Sequence, residues 1–318
     1  ISLEHGRLRV GPMSAGSRPG PACYGQGGPA TLTDANLVLG RLNPKDLPCT
    51  FGQTGTEPLC IDHAFKALGE LIGQYDHESI KGLAQDAIKI ADEQMAQAIR
   101  QISIAEGHSL HDCPLIAFGG AGGQFACGVA SSLGINHIVV HPLAGVLSAW
   151  GIGQAPFITL KQTHCHWRLQ DIQMADLDLL FQSLECQAIQ ELKLELPDDL
   201  IISCERNLKI RVGQSETLFE VNYDSIELIE ISILTMFKRR FGYRLEPSSE
   251  LWIIQAQVVA KSELDRALRD QGDSNNVSAH GEEYKQGPYL VAERLGTVFV
   301  ASNWEGYTSD TGRLMLKR

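Results

Sequence analysis

The sequence has eight cysteines, at 23, 49, 60, 113, 127, 165, 186 and 204, but no Cys-x-x-Cys pair. Single thiols scattered over 318 residues exclude a zinc ribbon and a disulfide framework. They read as the reduced thiols of a cytoplasmic protein, most of them acting as small buried apolar residues. Long apolar runs are also missing. None reaches the ~18 residues of a membrane span, and the opening ISLEHGRLRVGP lacks the charged-then-apolar layout of a leader peptide. Positive charge is scarce: 27 Lys and Arg stand against 38 Asp and Glu, for a net charge of −11. Nucleic acid and anionic membranes are polyanions that select basic patches, so neither is expected as the main partner. The two common phosphate loops are absent as well. Gly120-Ala121-Gly122-Gly123-Gln124-Phe125 lacks the last glycine of G-x-G-x-x-G, and no Gly-Lys-Ser/Thr follows.

What is present is organised. The length allows two domains, because single cores rarely grow beyond about 250–300 residues. Residues 11–40 are too rich in glycine and proline for a regular element, yet neither charged nor repetitive, so they read as an ordered loop that passes something closely. Helical patterns cover 62–74 and 79–106. In the second, Leu83, Ala87, Ala91, Met95, Ala98 and Ile102 recur at three- and four-residue steps, with Ser79 suited to the N-cap and Gly107 to the stop. PLIAFGG predicts a buried strand, 123–134 a helix opened by glycines, HIVVHP a second buried strand, and LSAWGIGQA a further helix or turn. Strand, helix and strand in that space make a βαβ unit, with a parallel sheet and a ligand site at the carboxyl ends of its strands.

The texture changes beyond Phe157. A helix is predicted over 175–196, a hairpin in LKIRVGQSETLFEVNY, a helix over 225–241 and a strand in LWIIQAQVVAKSEL. The polar stretch 269–287 reads as mobile, and the tail from PYLVAERL onward alternates like a small antiparallel sheet. These patterns place a domain boundary near residue 156. The chain opens on Ile1 within an apparent hairpin and reads as a piece of something longer.

GPMSAGSRPGPACYGQGGPATLTDANLVLGRL, followed some eighty residues later by FGGAGGQFACGVASSLGI and HPLAGVLSAWGIGQA, resembles the hydantoinase A and 5-oxoprolinase family. GGAGGQ and LPCTFG look more like the 5-oxoprolinases. FKRRFGY, GPYLVAERLGTVFV and DTGRLMLK extend the resemblance over nearly the whole chain. It implies an α/β fold: part of an actin-like ATPase (ribonuclease-H-like) domain over 1–156, followed by a smaller α+β portion over 157–318. It also implies ATP and Mg²⁺ as cofactors, a cyclic amide as substrate, and a hydantoinase B-like half or subunit as partner. On this resemblance Gly119, Gly120, Gly122 and Gly123 are the turn under the adenosine. No Asp-x-Gly-Gly-Thr phosphate hairpin occurs in the sequence. In the family those hairpins and most Mg²⁺ ligands precede this region, so the chain alone is expected to be inactive.

The resemblance implies opening of 5-oxoproline to glutamate, with an ATP-dependent hydantoinase or carboxylase subunit, or a non-catalytic assembly module, as the other readings. Asp34 in TDAN is the candidate catalytic residue, orienting metal-bound water or the amide; alternatively it caps the helix that follows. Arg18 and Ser14 are placed at the substrate, where a guanidinium would pair with a carboxylate; a solvated loop arginine is the other reading. Cys23 invites a nucleophile reading, but no histidine lies near it in sequence to activate it. His164 and His166 could share one strand face as metal ligands, although no third ligand is in view, and no metal site is assigned. Phe125 stands where family members usually carry His, which puts any role of that His in doubt here.

Overall fold

The structure, a computed structural model, describes residues 1–73, 79–196, 201–246, 249–262, 284–293 and 296–318. The chain divides into two compact units. One holds Ile1–Ile104, His108–Trp150 and Asn276–Arg318, and the other holds Ala105–Gly107 and Gly151–Asn275.

The first unit opens with a hairpin of β1 (Ser2–Glu4) and β2 (Arg7–Arg9), then α1 (Leu32–Val38), α2 (Ile61–Ile72) and α3 (Ile80–Ala105). The Ser79 hydroxyl accepts a hydrogen bond from Gly82 N–H at 3.1 Å, the N-cap that the sequence predicts. Gly107, at φ 68°, follows the last turn. The buried stripe of α3 runs through Leu83, Ala84, Ala87, Ile88, Ala91 and Ala96. The expected continuation through Met95, Ala98 and Ile102 is corrected: these three are exposed, because the packed face of the helix continues instead through Asp92, Ala96 and the half-buried Ile99.

β3 (Leu115–Ala117), α4 (Gly122–Leu133) and β4 (His137–Val140) form the expected βαβ unit, with β3 and β4 parallel. α5 (Leu147–Gln154) follows. β3 is less buried than its apolar sequence suggests, with Ile116 58% exposed, because it is the edge strand of its sheet. α4 packs on both sides. Phe125 and Val129 join a core built with α1, α2 and α3, while Ala126, Cys127 and Ala130 join a second core with Ile138, Val140 and Trp304.

The second unit holds β5 (Ile158–Arg168), α6 (Met174–Glu195), β6 (Ile202–Val212), β7 (Leu218–Asn222), α7 (Ile226–Phe241) and β8 (Leu251–Ser262). Its four strands run β5-β8-β6-β7, all antiparallel, and α6 and α7 share one core with them. Arg206 on β6 donates to both oxygens of Glu185 on α6, at 2.7 and 2.9 Å, tying sheet to helix.

The end of the chain returns to the first unit. β9 (Lys285–Gln286), β12 (Glu305–Thr308) and β13 (Leu314–Lys317) complete a sheet ordered β3-β4-β13-β12-β9, and β10 (Tyr289–Glu293) pairs with β11 (Gly296–Val300) as a hairpin. A single boundary near 156, with everything beyond it in the second portion, therefore differs from the observed division. β13 pairs antiparallel with β4 and buries Leu314 and Leu316 in the core that holds Ile138 and Val140. Residues 269–283 of the stretch expected to be mobile lie outside the described residues.

One buried charge behind α4 makes stability depend on pH. Asp92 on α3 is 8% exposed, and its Oδ1 has no partner among the described residues. A Cβ on Gly128 of α4 would sit 1.9 Å from its Oδ2, so the bare helix face cradles the carboxylate. Burial pushes its pKa from 3.8 up to about 7, against the opposing pull of Arg41. The folded state therefore keeps a proton that the unfolded chain has lost, and stability falls as pH rises from about 4 to about 7. Asp92→Asn should remove that fall. The variant's Tm should gain on the wild type's by at least about 2–4 °C between pH 5 and pH 8, roughly 1 kcal/mol. Parallel melting profiles across that range would refute the assignment.

Candidate active site: a shaped loop facing a glycine turn

The loop before α1 is held by one carboxylate. Asp34, fully buried, accepts from Cys23 N–H at 2.7 Å through one oxygen. Through the other it accepts from Ala22 N–H at 3.2 Å, Thr31 N–H at 2.8 Å and Thr31 Oγ1 at 2.8 Å. Thr31 and Asp34 form a capping box at the start of α1. The backbone closes further through Ala22 N–H to Pro29 O, 3.0 Å, and Gly52 N–H to Tyr24 O, 2.8 Å. This sets the Tyr24 ring against Phe51, with centroids 4.6 Å apart.

The glycine turn meets this loop. It follows the carboxyl end of β3 and leads into α4, as the βαβ reading expects. Gly119 takes φ 85° and donates its N–H to Ala144 O at 2.7 Å. Gly123 lies against β11: a Cβ there would fall 2.7 Å from Thr297 O. Gly120 and Gly122 differ, since a Cβ on either would meet nothing within 4 Å. Two glycines thus have a fold reason to be bare and two do not. Gly120 lines a hollow of about 400 Å³, walled by Tyr24, Leu47, Phe51, Thr33 and Gln124.

Gln124 fastens the site together. Its buried side chain accepts from Asn36 Nδ2 at 2.9 Å and donates to Thr297 Oγ1 at 2.9 Å. Residues from TDAN, GGAGGQ and LGTVFV are thereby joined across 88 and 173 positions of sequence. Sequence reasoning missed Asn36, Gln124, Thr297, Tyr24 and Phe51. Each lies inside or beside a recognised stretch, but nothing local marks a partner so far along the chain.

The lining suits a neutral, flat group. It offers two aromatic rings, aliphatic side chains, bare backbone, a few polar ends and one carboxylate, that of Asp46. Among the described residues lining it there is no Lys, Arg or His. A nucleoside fits that chemistry; its phosphates would have to be held elsewhere. No group of three or more His, Cys, Asp or Glu able to hold a metal exists among the described residues. The nucleoside part of ATP therefore fits the residues present.

Each candidate residue has a definite place. The four bonds to Asp34 leave it no free oxygen to aim at water or substrate, so this geometry supports the capping alternative over the catalytic expectation. Cys23 is fully buried, and burial first and Asp34 second push its thiol pKa up, which opposes a nucleophilic thiolate. Ser14 lines a neighbouring hollow of about 380 Å³ with Tyr24, Thr31 and Thr33, and its Oγ accepts from Gly16 N–H at 3.1 Å. Arg18 is exposed and does not line that hollow. His166 stacks on Trp252 with centroids 4.6 Å apart. Phe125 points into the helical core and does not line the nucleoside-sized hollow.

The parallel βαβ unit with a bare turn at its strand end belongs to an α/β fold shared with solved ATP-dependent enzymes. The chain belongs to the Hydantoinase/oxoprolinase family, whose model matches residues 1–160. It is similar to the 5-oxoprolinase of Dictyostelium discoideum, 33% identical over 252 residues, covering 76% of this chain and 20% of that protein. It is also similar to 5-oxoprolinase 1 of Arabidopsis thaliana, 38% identical over 321 residues, covering 93% of this chain and 25% of that protein. Caprolactamase subunit alpha of Pseudomonas jessenii is 32% identical over 273 residues, 81% of this chain and 38% of that protein. A crystal structure of that ATP-dependent caprolactamase superposes with TM-score 0.76 at 25% identity, covering 100% of this chain and 51% of the solved one. The chain thus spans a fifth to a quarter of the length of these 5-oxoprolinases and about half of the solved caprolactamase chain. No helix among the described residues is long and apolar enough to cross a membrane.

Proposed function

We propose that this chain forms the nucleoside side of an ATP-dependent cyclic-amide hydrolase whose substrate is 5-oxo-L-proline, opened to L-glutamate. The observation that carries the reading is the hollow shared by the Gly119–Gly123 turn and the loop around Tyr24, in which Gly120 is bare without any need of the fold. Opening a lactam requires activation of a poorly electrophilic amide, which ATP supplies by phosphorylating the amide oxygen; water then adds to the carbon, the C–N bond breaks with nitrogen leaving as the protonated amine, and a second water hydrolyses the resulting acyl phosphate to carboxylate and phosphate. The residues present hold and orient the nucleoside: Tyr24 and Phe51 offer ring faces, Gln124 and Thr33 offer polar ends, and the glycine backbone allows close approach. The neighbouring hollow at Ser14 is a place for the amide. A hydantoinase B-like half is the partner, in keeping with the relative named as a subunit alpha.

Fluorescent ATP-analogue titration tests the nucleoside site. Weak saturable binding is expected, and Gly120→Val, at the glycine that lines the hollow, should lose it without a change in Tm. Hydrolysis by the 318-residue chain alone is expected to be undetectable, because no Asp-x-Gly-Gly-Thr phosphate hairpin occurs in its sequence. Turnover that co-elutes with the chain and disappears in Gly120→Val would refute that division of labour. The substrate is identified by comparing 5-oxo-L-proline, hydantoin and caprolactam as stimulants of ATP turnover in a protein that carries both this chain and the phosphate hairpins.

A further inference from the structure

A third hollow, of about 410 Å³, shares no lining residue with the two described above. One wall is the outer face of α2, where His63, Lys66 and Glu70 follow one another at three- and four-residue spacing. The other is backbone: Gly25 and Gly27 take φ 75° and 78°, and a Cβ on Gly28 would lie 1.8 Å from Gly20 O. This wall is bare and fixed by the loop that Asp34 anchors. The side chains facing it are uncommitted. His63, Lys66 and Glu70 make no hydrogen bond or ion pair among the described residues. Lys66 precedes Glu70 by one turn, the weaker order for an ion pair along a helix, and the two do not pair.

We infer that this hollow binds a small zwitterion, an α-amino acid, with its carboxylate on Lys66 and His63 and its ammonium on Glu70. A simple anion would be drawn by Lys66 and repelled by Glu70, and a simple cation the reverse, so the pair of signs selects a ligand that carries both. Among the described residues the apolar side chains of the lining are Ala22 and Ala67, which offer little to a large hydrophobic group. The inference rests on the oxoproline reading only for its probes. L-Glutamate and 5-oxo-L-proline share a carbon skeleton and differ in the charge on nitrogen.

The test is isothermal titration of the 318-residue chain with L-glutamate, 5-oxo-L-proline and inorganic phosphate. Glutamate should bind. Lys66→Ala and Glu70→Gln should each weaken it at least tenfold without moving Tm, since both side chains are exposed. Gly120→Val should leave it unchanged, which separates this site from the nucleoside hollow. 5-Oxo-L-proline should compete at least tenfold more weakly, and any binding of it that survives Lys66→Ala belongs to another site. Absence of glutamate binding, indifference to Glu70→Gln, or phosphate binding as tightly as glutamate would each overturn the proposal. Failure of oxoproline to stimulate ATP turnover would bear only on the reaction.

Discussion

Gly123→Ala should lower the melting temperature of the chain by about 5–10 °C, while Gly122→Ala, one residue earlier, should leave it unchanged or slightly higher. The two differ only in what a methyl group meets. At Gly123 it would lie 2.7 Å from Thr297 O, 2.8 Å from Val298 Cγ2 and 3.1 Å from Val298 Cα. Two of these three contacts are backbone of β11, which is paired along its length with β10 and cannot step aside alone. α4 must therefore lift from the strand, loosening both cores that it joins and pulling Gln124 off Thr297. Overpacking of this kind costs about 1–3 kcal/mol, or several degrees in a domain this size. At Gly122 the methyl meets nothing within 4 Å, and alanine is the better helix former by up to about 1 kcal/mol. Paired melts of the two variants, with nucleotide binding measured on each, separate packing from ligand approach. Equal loss of stability in both would refute the division of the turn into fold glycines and ligand glycines.

The sequence showed the turn but not that division. Strand, turn and helix are local patterns, so β3, α4 and β4 were legible from periodicity and punctuation alone. So was the hairpin of β6 and β7. The later course of the buried face of α3 was not, because Met95, Ala98 and Ile102 and the packed Asp92, Ala96 and Ile99 keep the same three- and four-residue spacing on neighbouring stripes. Nor was the return of β13 to β4, a pairing of strands separated by the entire second unit. The site follows the same rule. The glycine turn and the loop around Tyr24 could be identified separately, but the bonds that join them, Asn36 to Gln124 and Gln124 to Thr297, depend on chain folded from distant positions. Asp34 shows the limit most clearly: TDAN reads equally as a cap or a catalytic acid, and only the positions of its donors distinguish the two.

Those donors make a sharp expectation for Asp34→Asn. A plain N-cap would tolerate asparagine, since Asn and Asp cap about equally well. Here, however, all the bonds run from donors to acceptors: one oxygen takes Cys23 N–H, and the other takes Ala22 N–H, Thr31 N–H and the Thr31 hydroxyl. Asparagine supplies one acceptor and one donor. If its oxygen keeps the three-bond position, its NH₂ group faces the Cys23 N–H, and a buried donor is left without an acceptor at a cost of about 1–3 kcal/mol. The reverse orientation turns the NH₂ toward the other donors and is worse. The chain should therefore melt several degrees lower. Asp34→Ala should cost more still, because all the donors lose their partner. The loop carrying Tyr24 should loosen with it, so nucleotide binding should weaken in step with stability and recover on cooling well below the variant's Tm. A variant with normal Tm and lost oxoproline-dependent turnover, measured as glutamate release in a protein that also carries the phosphate hairpins, would instead restore Asp34 to the chemistry and refute its role as the anchor of the loop.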